Sequence, residues 1–134
     1  MSQAAEQELN KVTLALQHFP DIVLAAVFGS IAMGNATSDS DIDIAVLTNT
    51  PMASANRIAL IEAVALATGR AVDLIDLREA GQPVLNEIVT HGKQIIGERS
   101  RWGDLIFRNV VDQEDFVPYQ QRILEGRRKA WINS

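Results

Sequence analysis

The stretch of sequence that decides the fold reads Val27-Phe28-Gly29-Ser30 and, after a short loop, Ser38-Asp39-Ser40-Asp41-Ile42-Asp43-Ile44-Ala45-Val46. Residues 22–28 form a short apolar run between turn-forming residues, which is typical of a buried strand. From residue 41 onward, acidic residues alternate with Ile and Val, which predicts a second strand. Its apolar side is expected to face the core, and its other side to carry the carboxylates of Asp41 and Asp43.

Two carboxylates on one face of a strand are suited to binding Mg²⁺. Residues i and i+2 lie roughly 7 Å apart along a strand, and Mg²⁺ takes oxygen ligands while leaving positions open for phosphate. Gly29 and Ser30 follow the first strand, where a glycine lets the backbone approach a ligand and N–H groups at a helix start favour phosphate. Each pair alone is common on strand edges and in turns. Together, at this spacing and in this strand context, they predict a metal and phosphate site.

These residues resemble a known family. Gly29-Ser30, ten residues and Asp41-x-Asp43 are similar to the signature of the DNA polymerase β nucleotidyltransferase superfamily, and the small size suggests its minimal nucleotidyltransferase branch. The resemblance covers about residues 20–97. It implies an α+β fold with a mixed sheet, in which a polymerase-β-like core carries flanking helices and a helical C-terminal tail.

The resemblance also implies a third carboxylate on a later strand. In this family the third acid stands in a Val-Asp-Leu-like setting, which Asp73 matches within the run Ala-Val-Asp-Leu-Ile-Asp-Leu at residues 71–77. Alternation does not mark Asp73 out, because it shares a strand face with Ala71 and Ile75. Asp76 is the alternative, although an acid at a strand end is more often a turn former.

The expected activity is transfer of AMP from ATP to a hydroxyl group. As the resemblance implies, Asp41, Asp43 and Asp73 would hold Mg²⁺, with two ions expected, and Asp73 could accept the proton of the attacking hydroxyl. Gly29 and Ser30 would hold the β- and γ-phosphates. Many minimal members are antitoxins that modify a tyrosine of a HEPN-domain ribonuclease toxin. A hetero-oligomer with such a toxin is therefore the expected assembly, in which residues 98–134 could dock the partner.

Two other functions stay open. The chain could adenylylate a small molecule such as an aminoglycoside, although such enzymes usually carry a larger acceptor-binding region. It could also neutralise its partner by binding alone, because Ile31 and Met33 stand where family members often carry arginine after Gly-Ser. The presence of all three carboxylates argues against that second possibility.

Composition sets further limits. The chain has 134 residues, of which 47% are hydrophobic, so one domain with a substantial core is expected. It has no cysteine, which excludes disulfides and thiolate metal sites. His18 and His91 lie near predicted helix ends, where capping or solvated positions are more common than metal ligation. No stretch reads as a membrane span or a secretion signal, so a cytoplasmic protein is expected.

The charge distribution argues against direct nucleic-acid binding. The net charge is −5, whereas contacts to nucleic-acid phosphates need a basic surface. Residues 1–97 carry five basic and eleven acidic side chains, and residues 98–134 carry seven and six. The acidic part contains the predicted metal site.

In chain order, apolar periodicity and turn residues predict two regions. The first, residues 1–97, is the catalytic core, with helices at 2–18, 31–35, 54–68 and 83–91, a third strand at 71–75 and a short edge strand at 94–96. The second, residues 98–134, is a helical extension that packs on the core or on a partner. One side of its first helix is predicted to carry Trp102, Leu105, Ile106, Asn109 and Val110. A second helix, with the basic run Arg127-Arg128-Lys129 near its C-terminus, is predicted to carry Phe116, Tyr119, Ile123, Leu124 and Trp131 on one side.

Overall fold

The computed structural model describes residues 3–114, which form a four-stranded mixed sheet with five helices. The elements in order are α1 (Gln3–Leu16), β1 (Ile22–Phe28), α2 (Gly29–Met33), β2 (Ile42–Thr48), α3 (Ser54–Thr68), β3 (Val72–Asp76), α4 (Val84–His91) and β4 (Lys93–Ile96). A fifth helix, α5, follows at residues 99–114. The predicted α+β class with a mixed sheet is confirmed. The predicted second tail helix and its basic run lie outside the described residues.

Two helices, α1 and α2, differ from the predictions in their bounds for local physical reasons. The helix α1 ends at Leu16 rather than at residue 18, and the chain tightens there because Phe19 N–H donates to the Leu16 carbonyl at 3.0 Å, just before Pro20. The helix α2 begins at Gly29 rather than at residue 31 and stops at Met33, because Gly34 takes the left-handed conformation with φ of 76°. Ser30 therefore lies in the first turn of α2.

The strand order brings three strand ends together at one edge of the sheet. The order is β3-β2-β1-β4, with β1 antiparallel to both of its neighbours and β2 parallel to β3. The C-terminal end of β1 therefore meets the N-terminal ends of β2 and β3. The Gly-Ser step and all three predicted carboxylates belong to these ends, so the topology collects them at a single edge.

Both faces of the sheet are covered, each by its own pair of helices. On one face, α1 and α3 pack against the sheet through a core that includes Leu16, Ile44 and Val64. On the other face, α4 and α5 enclose a second core that includes Ala45 and Leu85. The apolar side of β2 faces the first core, as predicted, and Ala45 on the carboxylate side is completely buried in the second core. Toward the start of β2 on that side, Asp43 is only partly buried and Asp41 is exposed.

The helix α5 packs on the core through a narrower side than predicted. Leu105 is buried in the second core, and Trp102 packs against it. Ile106 and Val110, predicted on the same side, are 41% and 49% exposed. The helix therefore packs through Trp102, Leu105 and Asn109, and positions 106 and 110 lie at the margin of that side. No helix within residues 3–114 is long and apolar enough to cross a membrane.

Asn109 joins α5 to α4 through side-chain hydrogen bonds. It is buried, accepts a hydrogen bond from Gln82 Nε2 at 2.8 Å and donates one to Asn86 Oδ1 at 3.1 Å. We expect Asn109→Ala to lower the free energy of unfolding by about 1–3 kcal/mol, because both partners lose a buried hydrogen bond. Urea denaturation measures this loss, and Phe107→Ala on the exposed side of α5 is the control that should change stability by less than about 0.5 kcal/mol. Equal effects of the two substitutions would contradict the assigned bonds.

Candidate active site

The three predicted carboxylates lie at the edge where β1 ends and where β2 and β3 begin. Asp43 is paired in register with Phe28 of β1 on one side and with Asp73 of β3 on the other. Asp41 lies just before β2 and is exposed, as is Asp73, whereas Asp43 is partly buried. The parallel pairing of β2 with β3 thus brings Asp73 beside Asp43 from 30 positions further along the chain.

Gly29 makes room for the Asp43 carboxylate. Its φ is +71°, and a Cβ at this position would lie 2.1 Å from Asp43 Oδ2 and 3.0 Å from Asp43 Cγ. A side chain of any size would therefore displace the carboxylate. The sequence predicted that Gly29 admits a ligand to the backbone, and the structure gives this residue a further role that was not predicted. No sequence signal points to this contact, because it depends on how β1 and β2 pair.

The carboxylates repel one another. The pKa of Asp43 is raised above its ordinary value of 3.8, first by burial and then by the negative charges of Asp73 and Asp41. Each carboxylate therefore disfavours ionisation of Asp43. A divalent cation bound among them would reverse this effect, because it would replace repulsion with attraction.

The donor set at this edge is compatible with Mg²⁺ brought in with a nucleotide. Within residues 3–114, no three or more Asp, Glu, His or Cys side chains are arranged to hold a metal ion by themselves. Mg²⁺ usually binds through one or two carboxylates together with substrate phosphates and water, rather than in an all-protein cage. Asp41, which is exposed, and Asp43, which is partly buried next to Gly29, provide such a partial set.

Ser30 lies in the first turn of α2, next to Gly29 and at the same edge of the sheet. Its side chain is partly exposed, and its carbonyl accepts a hydrogen bond from Asn35 N–H at 3.0 Å. The first N–H groups of a helix have no partner within the helix and attract anions. Gly29 and Ser30 are therefore placed where phosphates would meet the carboxylates.

Asp76, the alternative third acid, lies at the opposite end of β3. Its Oδ1 accepts a hydrogen bond from Arg78 N–H at 2.9 Å, as expected of a residue that forms a turn. The structure brings together Gly29, Ser30, Asp41, Asp43 and Asp73, and it leaves Asp76 outside. His18 and His91 are exposed, the first just after α1 and the second as the last residue of α4.

Arg70 contacts this edge and was not predicted from the sequence. Its Nη1 donates to the carbonyls of Thr37 and Ser40 at 2.7 and 2.8 Å, and its Nε lies 3.3 Å from Glu8 Oε2. Backbone carbonyls occur at every residue, so the sequence holds no signal for such contacts. The guanidinium reaches the loop that leads into Asp41.

Comparisons with known proteins agree with this geometry. Residues 10–101 match the family model described as polymerase beta, nucleotidyltransferase. The chain is 37% identical over 130 residues to the protein adenylyltransferase MntA of Shewanella oneidensis, which covers 95% of this chain and 88% of MntA.

Solved structures give the same result. A chain from the crystal structure of a toxin–antitoxin with AMP-PNP matches with a TM-score of 0.79 and 30% identity, over 88% of this chain and 96% of that one. A chain from the complex of a tri-AMPylated Shewanella oneidensis HEPN toxin with an MNT antitoxin matches with a TM-score of 0.75 and 28% identity, over 91% of this chain and 97% of that one. The likeness extends over most of both chains in each case.

Proposed function

The chain belongs to the polymerase beta nucleotidyltransferase family, and on this premise we propose that it transfers AMP from ATP to a tyrosine of a HEPN-domain toxin, as the antitoxin of the pair. The observation that carries this proposal is the register that aligns Asp43 with Asp73, next to Asp41 and against Gly29. Three acids that repel one another at an open edge have no evident benefit for folding, but they suit metal-assisted transfer of a nucleotide.

The proposed roles follow from position. Asp41 and Asp43 hold Mg²⁺, which when bound neutralises negative charge on the phosphates of ATP. Gly29 and Ser30 hold the β- and γ-phosphates through the start of α2. Asp73 is exposed and lies beside Asp43, where it can help to bind metal and orient the incoming hydroxyl.

The transfer step balances as follows. The tyrosine oxygen forms a bond to the α-phosphorus of ATP, and the bond from that phosphorus to the oxygen bridging to the β-phosphate breaks. The hydroxyl proton passes to Asp73, and pyrophosphate leaves with the bonding electrons. Positioning and charge neutralisation supply most of the rate enhancement in phosphoryl-type transfer, so a domain of this size is sufficient.

The choice of donor and partner is supported by the relatives. AMP-PNP, an ATP analogue, is part of the toxin–antitoxin structure with a TM-score of 0.79, and the MNT antitoxin of the second structure stands in complex with a tri-AMPylated HEPN toxin. The 37% identical relative is named as a protein adenylyltransferase. We place the reaction in the cytoplasm, where ATP and a ribonuclease toxin would meet.

The division of the chain is part of the same proposal. Residues 1–97 are the catalytic core, and residues 98–134 are an extension, whose described helix α5 packs on the core through Trp102 and Leu105. The family match ends at residue 101, close to that boundary. The exposed side of α5, with Phe107 at 71% exposure, leaves apolar surface available for a partner.

A labelling experiment tests the proposal. The purified protein is incubated with Mg²⁺, each of the four α-labelled nucleoside triphosphates and the HEPN protein encoded by the neighbouring gene, with Asp41→Ala as the inactive control. We expect label from ATP on the HEPN protein and a mass gain of one or more AMP units, both lost with Asp41→Ala. Replacing the modified tyrosine with phenylalanine should remove the label.

Other outcomes would reject the proposal in distinct ways. A stable complex without label from any nucleotide would indicate neutralisation by binding alone. Label on a small hydroxylated compound, with none on the HEPN protein, would indicate a small-molecule adenylyltransferase.

A further inference from the structure

We propose that Arg70 is a positioning residue that fixes the backbone on both sides of Asp41 and ties it to the strand that carries Asp73. This inference rests on the proposed function, because it concerns the same metal site. Arg70 follows α3 and immediately precedes Ala71, which leads into β3. Its side chain is only 15% exposed, and its hydrogen bond to the Ser40 carbonyl is partly buried, whereas the one to the Thr37 carbonyl is exposed.

The contacts of Arg70 reach the peptide group that precedes Asp41. The Ser40 carbonyl, which accepts a hydrogen bond from Arg70 Nη1 at 2.8 Å, belongs to the peptide group joining Ser40 to Asp41. The same nitrogen donates to the Thr37 carbonyl at 2.7 Å, at the other end of a turn closed by a hydrogen bond from Thr37 N–H to Ser40 Oγ. One guanidinium group thus joins both ends of this loop.

The peptide group that follows Asp41 is held by Ala71, the residue that comes after Arg70. Ile42 N–H donates to the Ala71 carbonyl at 2.9 Å. Asp41 itself lies outside β2, and the bond from Ile42 N–H to the Ala71 carbonyl belongs to the β2–β3 pairing that begins next to it. Its two flanking peptide groups are thus anchored to consecutive residues, Arg70 and Ala71. The position of one metal ligand is therefore coupled to the start of the strand that brings in Asp73.

Glu8 of α1 holds the guanidinium from the other side. Its Oε2 is buried and has no hydrogen-bond partner among residues 3–114, and it lies 3.3 Å from Arg70 Nε. The arginine is the cation that compensates the charge on this oxygen, whereas Oε1 pairs with Lys11 at 3.1 Å. A planar guanidinium can donate to two carbonyls and face a carboxylate at once, which a lysine ammonium cannot do with the same geometry.

The chain provides a matched control in Arg78. At the opposite end of β2, Arg78 Nη2 donates to the carbonyls of Thr48 and Asn49 at 2.9 and 2.7 Å. It therefore makes the same kind of contact at the other end of β2, away from the carboxylates. Replacing either arginine would loosen an end of β2, whereas only the loss of Arg70 would misplace Asp41.

The test compares Arg70→Ala with Arg78→Ala in the full-length protein. Binding of Mn²⁺ in the presence of AMP-PNP is followed by electron paramagnetic resonance, and AMP transfer is followed as a function of Mg²⁺ concentration. For Arg70→Ala we expect Mn²⁺ binding about 10-fold weaker and transfer reduced about 10- to 100-fold, since a displacement on the order of 1 Å in a catalytic site can have that effect. Arg78→Ala should retain the parent values in both assays. Glu8→Gln, which removes only the charge that orients Arg70, should give a smaller loss of the same kind.

The outcomes separate this inference from the proposed function. Arg70→Ala that binds Mn²⁺ like the parent, or equal losses in Arg70→Ala and Arg78→Ala, would overturn the positioning role. A parent protein that transfers no AMP, but whose Mn²⁺ binding is weakened only by Arg70→Ala, would overturn the proposed function and retain this inference.

Discussion

Asp43→Asn is expected to abolish AMP transfer while leaving the metal-free protein at least as stable as the parent. We expect a loss of about 1,000-fold or more, because a bound metal ion supplies several kcal/mol of transition-state stabilisation and each 1.36 kcal/mol corresponds to about tenfold in rate. Asp43 lies between Phe28 and Asp73 in the sheet, so removal of its charge affects the centre of the site. The measurement is the rate of AMP incorporation at saturating ATP and Mg²⁺.

The expected stability follows from the sign of the pKa shift. The pKa of Asp43 is raised in the folded protein, so the folded state binds the proton more tightly than the unfolded state does. Ionisation of Asp43 therefore lowers the free energy of unfolding as the pH rises above its ordinary pKa of 3.8. This loss of stability is fully present once the pH exceeds the raised pKa of the folded protein. Asparagine removes this cost. At pH 7 and without metal, the melting temperature of Asp43→Asn should equal or exceed that of the parent.

Asp76→Asn is the control for Asp43→Asn. Its carboxylate accepts a hydrogen bond from Arg78 N–H at the far end of β3, so transfer should remain near the parent rate. Mg²⁺ with AMP-PNP should raise the melting temperature of the parent and of Asp76→Asn, but not that of Asp43→Asn. If Asp43→Asn transferred AMP at a rate within twofold of the parent rate, the assignment of the metal site to Asp43 would be wrong.

The sequence predicted those features of the fold that depend on local pattern. Alternation around Asp41 and Asp43 identified β2, and the apolar run before Gly29 identified β1 with the bounds that the structure gives. The mixed sheet followed from the family resemblance. The side of α5 that packs was predicted too broadly, because a list of apolar residues does not reveal how far a helix is rotated about its axis. Ile106 and Val110 are consequently exposed.

The parts of the site that depend on tertiary pairing had no local signal. Asp73 has no distinguishing alternation on its own strand, and the family resemblance alone suggested it. The structure adds the reason why it lies near Asp43, which is the parallel register of β2 with β3. Arg70 could not be predicted from any pattern, since it binds carbonyls of residues 30 and 33 positions away. The roles of all these residues stay predictions until the variants are measured.

Gly29→Ala is expected to reduce AMP transfer about 100-fold or more, through displacement of Asp43 by a single methyl group. The new Cβ would lie 2.1 Å from Asp43 Oδ2, far inside van der Waals contact. Asp43 can relieve the clash by rotating its side chain, so the protein should fold. The rotated carboxylate would no longer face Asp73 and the phosphates, and errors on the order of 1 Å in such positions can reduce rates by about 100-fold.

Gly34→Ala separates this steric effect from backbone strain. Gly34 has φ of +76°, close to the +71° of Gly29, but a Cβ there would meet no atom within 4 Å. Both variants should lose about 1–2 kcal/mol of stability, because a residue with a Cβ is strained in the left-handed region. Transfer should fall only in Gly29→Ala, and Mn²⁺ binding should weaken in that variant alone. Equal losses of AMP transfer in the two variants would indicate that backbone strain in α2 causes the effect. The role of Gly29 in making room for Asp43 would then be wrong.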